Sequence, residues 1–260
     1  MQMQGKIVLI TGASQGIGAA CARVFQARGS KLSLLARSAE ALAQAGDETA
    51  LRTVGDVTDE DVRQRAVAAT IERFGRIDIL INNAGAGLML PSAEAPLADV
   101  RRMFELNVFA LLGMVQAVVP HMRRQGAGSI VNIGSMAGKV TLPWLTMYSA
   151  SKYAVGALTD GLRMELKRDG IHAMTVCPGY VRTAFFKNII AGIAPAALGG
   201  GKLFSIDAEI CAQAIARGVE RQARTVVTPA SGWLFIAMER LFPALVDNQL
   251  TKIYDNSRQA

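Results

Sequence analysis

Cysteine, histidine and long apolar runs are scarce in this chain, and each shortage removes a class of protein. The three cysteines among 260 residues, Cys21, Cys177 and Cys211, are odd in number, far apart and set among apolar neighbours. That pattern argues against a disulfide framework and fits buried thiols in a reducing compartment. The two histidines, His121 and His172, are widely separated, so no metal site is expected. No run of about twenty apolar residues occurs, and no charged segment with a small-residue cleavage site precedes the first apolar run. A cytoplasmic protein that does not span a membrane is expected. No proline- or serine-rich linker, repeat or low-complexity tract divides the chain, so one domain over residues 1–260 is expected. The net charge of +7 is not gathered into a basic tract interleaved with aromatics, and nucleic acid is not expected as a partner.

What is present is an alternation. Short apolar runs at residues 6–10, 31–36, 51–54, 77–81, 129–133, 172–176 and 225–227 alternate with segments of helical period, the pattern of a doubly wound α/β fold with helices on both faces of a parallel sheet. The segment between the second and third runs, 38–45, is too short for more than a brief helix. A longer helical pattern runs from about Asp99 to Met122.

The first run, Ile7-Val8-Leu9-Ile10, leads into Thr11-Gly12-Ala13-Ser14-Gln15-Gly16-Ile17-Gly18 and an alanine-rich helix. Glycines at 12, 16 and 18 permit a tight turn, leave backbone bare toward a pyrophosphate and let the helix lie close on the strand. The helix N-terminus supplies N–H donors and partial positive charge. The spacing is G-x-x-x-G-x-G rather than the commoner dinucleotide fingerprint. The same residues satisfy G-x-S-x-G, the elbow of a serine hydrolase. However, only one strand precedes Ser14, and neither histidine follows an acidic partner near the end of the chain.

Tyr148 and Lys152 are four residues apart, just over one helical turn, so they share a face. An ammonium beside a phenol stabilises the phenolate and draws its pKa down toward neutrality. Ser135 follows the run 129–133 and so falls at the C-terminal edge of a parallel sheet, where ligands bind. Asn107, between Leu106 and Val108, reads by itself as a satisfied polar group in an apolar helix. At the end of the second run, Ala36 stands where an acid would accept from a ribose 2′-hydroxyl, and Arg37 follows it. With Ser14 and Ser38 as further donors, this favours the 2′-phosphate of NADP(H) over NAD(H).

In this order, over residues 6–228, these elements resemble the short-chain dehydrogenase/reductase family. The turn from Thr11 to Gly18, Asp56-Val57, Asn82-Asn83-Ala84-Gly85, Asn107, Ser135, the Tyr148-to-Lys152 pair, and Pro178-Gly179 followed by Thr183 carry the resemblance. It implies a Rossmann-type sheet of order 3-2-1-4-5-6 with a seventh strand. It also implies hydride transfer between a nicotinamide coenzyme and a carbonyl or alcohol. By the resemblance, Gly12, Ser14, Gln15, Gly16, Ile17 and Gly18 hold the pyrophosphate, and Asp56 and Val57 meet the adenine. Asn83, Ala84 and Gly85 line the coenzyme wall, and Pro178, Gly179, Val181 and Thr183 fix the carboxamide. Ser135 binds the carbonyl oxygen, Tyr148 protonates it, Lys152 holds the ribose and lowers the tyrosine pKa, and Asn107 binds a relay water. A non-catalytic dinucleotide sensor of the same fold is the remaining alternative, and the complete set of proton-transfer groups argues against it.

The substrate segments, 86–91, 136–147 with Trp144, and Phe185-Phe186 continuing through Gly199-Gly200-Gly201, are mostly apolar. A bulky apolar ketone or aldehyde is expected, under a lid at about 185–205. An apolar extension is expected at about 231–256, and its most apolar stretch, Trp233 to Phe242, is too short and too charged to span a bilayer. It could bury on the core, pair with a second subunit of a homo-dimer or tetramer, or lie on a membrane surface, in that order.

Overall fold

The computed structural model describes the backbone of residues 2–187, 189–192 and 205–258. Seven strands, β1 (Ile7–Thr11), β2 (Lys31–Ala36), β3 (Leu51–Val54), β4 (Ile79–Asn82), β5 (Gly128–Ile133), β6 (Ile171–Pro178) and β9 (Thr225–Thr228), form one sheet. Its order is β3-β2-β1-β4-β5-β6-β9, and all its pairs are parallel. The sheet order is that expected from the sequence. A separate small pair joins β7 (Tyr180–Arg182) to β8 (Ser205–Asp207).

Alternation along each strand feeds two apolar layers. Val8 and Ile10 of β1 enter one with α1 (Gly16–Ala27) and α7 (Ala208–Glu220), while Leu9 enters the other. That second layer contains α3 (Glu60–Phe74), α5 (Ala110–Gln125) and α6 (Thr146–Glu165). In the first layer, α1 and α7 lie side by side, with Cys21 and Cys211 fully buried and ion pairs Arg23–Glu209 (3.1 Å) and Arg28–Glu220 (2.5 Å) toward solvent. Left-handed glycines at 75 and 126 close α3 and α5, where a side chain would strain the backbone.

The connection from β2 to β3 holds only the five-residue α2 (Ala39–Ala43), as its length required. Arg52 keeps the remainder in shape. Its guanidinium donates to the carbonyls of Leu42, Ala45, Asp47 and Ala50.

The long helical pattern is real but not uniform. α4 (Leu97–Phe104) passes into α5 through a π turn at Glu105–Phe109, centred on Asn107. Within Leu97–Gln125 an 18-residue window reaches a mean hydropathy of 1.6, so by length and composition this helix is apolar enough to cross a membrane, which corrects the expectation that no such run exists. Its α5 part buries Leu111, Met114, Val115, Val118 and Met122 against the sheet, so its apolar character is that of a core helix.

After β9 the chain ends its described part in two helices, α8 (Gly232–Leu241) and α9 (Pro243–Arg258). Ile236 and Val246 are buried, and most other side chains from Ser231 to Asp255 are exposed.

Candidate active site

The loops after the strands β1 to β6 enclose a cleft of about 980 Å³ at the C-terminal edge of the sheet. That is the edge where open parallel sheets bind ligands, because the helix N-termini and bare loop backbones converge there.

One end is built by the glycine turn. Gly12 and Gly16 have positive φ, and a methyl at residue 12 would lie 2.9 Å from both Ala84 Cα and Asn83 Nδ2. Asn83 clamps the turn by donating from Nδ2 to the carbonyls of Thr11 and Gly12, both at 3.0 Å. In return, the Thr11 hydroxyl accepts from the N–H groups of Asn83 and Ala84, both at 3.1 Å. Gly18 lies beneath, where a Cβ would stand 2.6 Å from Asn83 Nδ2. It lets helix and turn close together and does not line the cleft. The first turn of α1 has neither an acidic residue nor a side-chain cap, so its N–H groups remain available to an anion.

Ser14, Gln15, Gly16, Ile17, Arg37, Ser38, Asp56, Val57, Asn83, Ala84 and Gly85 line this end together. Arg37 is 77% exposed and stands 3.9 Å from Asp56 Oδ2. The other Asp56 oxygen accepts from the Thr58 N–H and hydroxyl. Ser38 caps α2 through its Oγ. From the opposite wall come Pro178, Gly179, Val181 and Thr183, the last with its methyl 3.2 Å from where a Cβ on Gly16 would be.

Ser135, Tyr148 and Lys152 meet mid-cleft. The Ser135 hydroxyl and the Tyr148 phenol line the same part of the cleft, and Ser135 Oγ accepts from the Ala137 N–H at 3.1 Å. Lys152 donates to the Ile133 carbonyl at 2.8 Å, and its Nζ lies 5.7 Å from the Tyr148 ring centroid. Burial dominates both titrations. It pushes the Tyr148 phenol up to about 12, with the Ser135 hydrogen bond opposing, and the Lys152 ammonium down to about 8. Burial therefore outweighs the lysine-induced fall in the phenol pKa expected from the sequence, and the same burial lowers the pKa of Lys152 itself.

Asn107 stands behind this group rather than in the cleft. Its Oδ1 accepts from the Ala86 N–H and its Nδ2 donates to the Ala86 carbonyl and the Ser151 hydroxyl, at 2.9, 2.9 and 3.1 Å. Both amide hydrogens are engaged, so any water held by this side chain must bind the remaining Oδ1 lone pair.

The far end is apolar, lined by Met89, Met136, Val140, Leu142, Leu145 and Phe185. Among the expected lining residues that lie elsewhere are Trp144 and Met147. Trp144 is buried with its ring 4.6 Å from that of Tyr254 on α9, and Met147 packs into the cluster around Leu88 and Met103. Phe186 has no described side chain, and most of the expected lid, including Gly199, Gly200 and Gly201, lies outside the described residues. Its described part, 189–192, runs beside the 87–89 segment, with Ile190 donating to Gly87 and Met89 to Ala191. Leu106 and Phe235 also line the cleft, and neither was anticipated. The hydrolase alternative fails on geometry: His121 bonds Arg124, His172 bonds the Ala223 carbonyl, and neither lines the cleft with Ser14.

A seven-stranded doubly wound sheet with a glycine turn, a Ser–Tyr–Lys cluster and an apolar far end defines a class of dinucleotide-fold proteins. The chain belongs to the short-chain dehydrogenase family, whose sequence pattern matches residues 6–193. It is 39% identical over 191 residues to 2-(R)-hydroxypropyl-CoM dehydrogenase of Xanthobacter autotrophicus, covering 68% of this chain and 75% of that one. It is 36% identical over 202 residues, 73% of this chain, to dehydrogenase/reductase SDR family member 7B of Danio rerio, and spans 65% of that protein's length. Among solved structures, a Burkholderia phymatum short chain dehydrogenase/reductase in complex with NAD superposes with TM-score 0.85 at 26% identity, over 94% of this chain and 96% of that one. A Burkholderia cenocepacia short chain dehydrogenase in complex with NADP gives 0.82 at 27% identity, over 96% and 99%.

Proposed function

We propose that this protein interconverts a ketone or aldehyde with the corresponding alcohol, using NADP(H), and that its preferred substrates are apolar. The observation that carries the reading is the meeting of Ser135, Tyr148 and Lys152, with the ammonium 5.7 Å from the phenol ring centroid, in a cleft that also contains a bare glycine turn.

The residues fit a dinucleotide. A side chain at residue 12 would collide with Asn83 and Ala84, and the uncapped start of α1 offers donors to a pyrophosphate. Gly12 to Ile17 would hold the phosphates, Asp56 and Val57 the adenine, Lys152 the ribose, and Pro178 to Thr183 the carboxamide. When bound, the nicotinamide supplies or receives the hydride.

The chain's own groups handle the oxygen. Ser135 and Tyr148 aim two hydroxyl donors at the position where negative charge develops as a carbonyl is reduced. A phenol held at about 12 is protonated at neutral pH and so can act as the acid. Lys152, lowered to about 8 by burial, would be held in its charged form by the ribose and the developing phenolate. Asn107 orients this group through Ala86 and Ser151.

NADP(H) is favoured by the same residues as in the sequence. Ala36 brings no carboxylate to the end of β2, and Arg37 is exposed at the cleft rim with Ser14 and Ser38 nearby. Apolar substrates are favoured because the far end offers almost no polar partner to a hydroxylated one. The test is a panel of aldehydes and ketones assayed with NADPH and NADH. Turnover of apolar ketones with NADPH is expected. No turnover of any member with either coenzyme would overturn the reading.

A further inference from the structure

Arg63, on the first turn of α3, braces the adenine end of the cleft from behind. Its Nη1 reaches back to donate to the carbonyls of Val57 and Thr58, at 2.9 and 2.8 Å. Asp56 and Val57 line the cleft, and Arg63 does not. The same loop is tied a second time by Asp56 Oδ1, which accepts from the N–H and the hydroxyl of Thr58 at 3.0 and 2.9 Å. The Arg63 guanidinium in turn lies on Gly113 of α5, where a Cβ would stand 2.6 Å from Arg63 Nε and 2.9 Å from its Cζ. Gly113 has no positive φ, so the helix backbone does not require a glycine there. A glycine inside a helix lowers helix stability. What its bare backbone provides at this position is the space that the guanidinium occupies.

We propose that Arg63, seated on Gly113, is a positioning residue for the coenzyme: it holds the loop 56–58 in its binding shape before the adenine arrives. The proposal rests on the dinucleotide reading above and extends it to two residues outside the cleft. Without the brace, the loop backbone must be ordered at the moment of binding, and fixing one residue costs on the order of tenfold in affinity. Two observations separate this role from simple support of α3. The helix already has its own cap, since the Asp59 carboxylate accepts from the Asp61 N–H at 2.9 Å. Val57 also belongs to the buried cluster that contains Ala110, Leu111 and Met114 of α5. An apolar contact and a polar brace thus join the cleft-lining loop to the same helix.

Gly113→Ala provides the main test. The atoms its methyl would meet are the end of a flexible side chain, so the guanidinium moves and α5 does not. Alanine is also the better helix former. The thermal midpoint should therefore hold or rise, while binding of NADPH, NADH and ADP, measured by titration calorimetry, weakens about tenfold. A merely structural role would not move stability and affinity in opposite directions. Arg63→Met keeps the stem, removes the donors and should weaken all three ligands to a similar degree, and Arg63→Lys should recover part of the loss. In the double variant the second change should add little to the first, because both act through one guanidinium. Wild-type affinity for ADP in Gly113→Ala, or losses that multiply in the double variant, would overturn the proposal. Coenzyme binding weakened as stated, with no ketone or aldehyde turned over by any of the proteins, would support the brace and overturn the carbonyl–alcohol reading. A wild type that binds neither coenzyme nor ADP would overturn both.

Discussion

Gly85 lies so close to Asn107 that a methyl on residue 85 would stand 3.1 Å from Asn107 Oδ1 and 3.5 Å from Lys152 Nζ. The bare backbone at this position sets how near the buried amide and the buried ammonium approach each other. Asn107 cannot retreat easily, because three hydrogen bonds tie it to Ala86 and Ser151.

Gly85→Ala should therefore shift Lys152 by a few tenths of an ångström without unfolding the chain. Turnover is expected to fall about tenfold, as small misplacements of positioned groups do, while the thermal midpoint moves little. Steady-state kinetics beside a thermal melt checks this, and wild-type kcat would show that the spacing is not critical.

Tyr148→Phe keeps the ring against Phe185, 5.7 Å between centroids, and removes the transferable proton. Carbonyl reduction should drop by about 10²–10⁴-fold, and NADPH affinity should remain. Fluorescence titration of NADPH with parallel kinetics distinguishes the two effects. A kcat close to wild type would remove Tyr148 from the chemistry.

Lys152 gives the protein a pH signature. Its pKa is lowered from 10.5 to about 8, so between those values the unfolded chain binds more protons than the folded one, and stability rises with pH across that window. Lys152→Met abolishes the titration. The stability of the variant relative to wild type should fall from pH 7 to pH 10.5 by roughly 3 kcal/mol, the equivalent of the pKa shift. The Tyr148 phenol, raised to about 12, opposes stability above pH 10 but is present in both proteins and cancels. Urea unfolding at pH 7, 8.5 and 10 provides the measurement, and a constant difference would contradict it.

Ala36→Asp combined with Arg37→Ile should move coenzyme preference from NADPH toward NADH, since an acceptor for the ribose hydroxyl is added and the phosphate partner is removed. Arg37 also pairs at 3.9 Å with Asp56. At that distance and exposure the pair is worth little, and its loss should not mask the change. Comparison of kcat/KM for both coenzymes settles the matter. A wild type that already prefers NADH would sink the assignment.

The alternation of strands and helices was legible from spacing, the sheet order only through the family resemblance, and the cleft from residue types with few substitutes: a glycine where backbone must approach backbone, a serine at a strand end, a tyrosine one turn from a lysine. The π turn at Asn107 was not, since one extra residue in a helical turn barely disturbs a 3.6-residue period over a stretch this apolar. Trp144 was misplaced because an apolar side chain does not declare which neighbour covers it. Its partner, Tyr254, lies 110 residues further along the chain. Phe235 was missed for the same reason. Its neighbours Trp233, Leu234 and Ile236 are equally apolar, and only the docking of α8 decides which of the four reaches the cleft. The direction of the Tyr148 pKa shift also depended on structure, because burial outweighs a lysine whose own charge burial suppresses.

The side-by-side packing of α1 and α7 has a consequence during synthesis. The pairs Arg23–Glu209 and Arg28–Glu220 join residues 186 and 192 positions apart, and the same seam buries Cys21 against the cluster containing Cys211. A nascent chain can make the glycine turn early, but the helix behind that turn keeps one apolar flank open until more than two hundred residues have left the ribosome. Contacts of such separation slow folding and prolong the exposure of apolar surface. The apolar flank of α1 is thus covered only when α7 arrives, so the packing of this layer waits on a contact between distant parts of the chain.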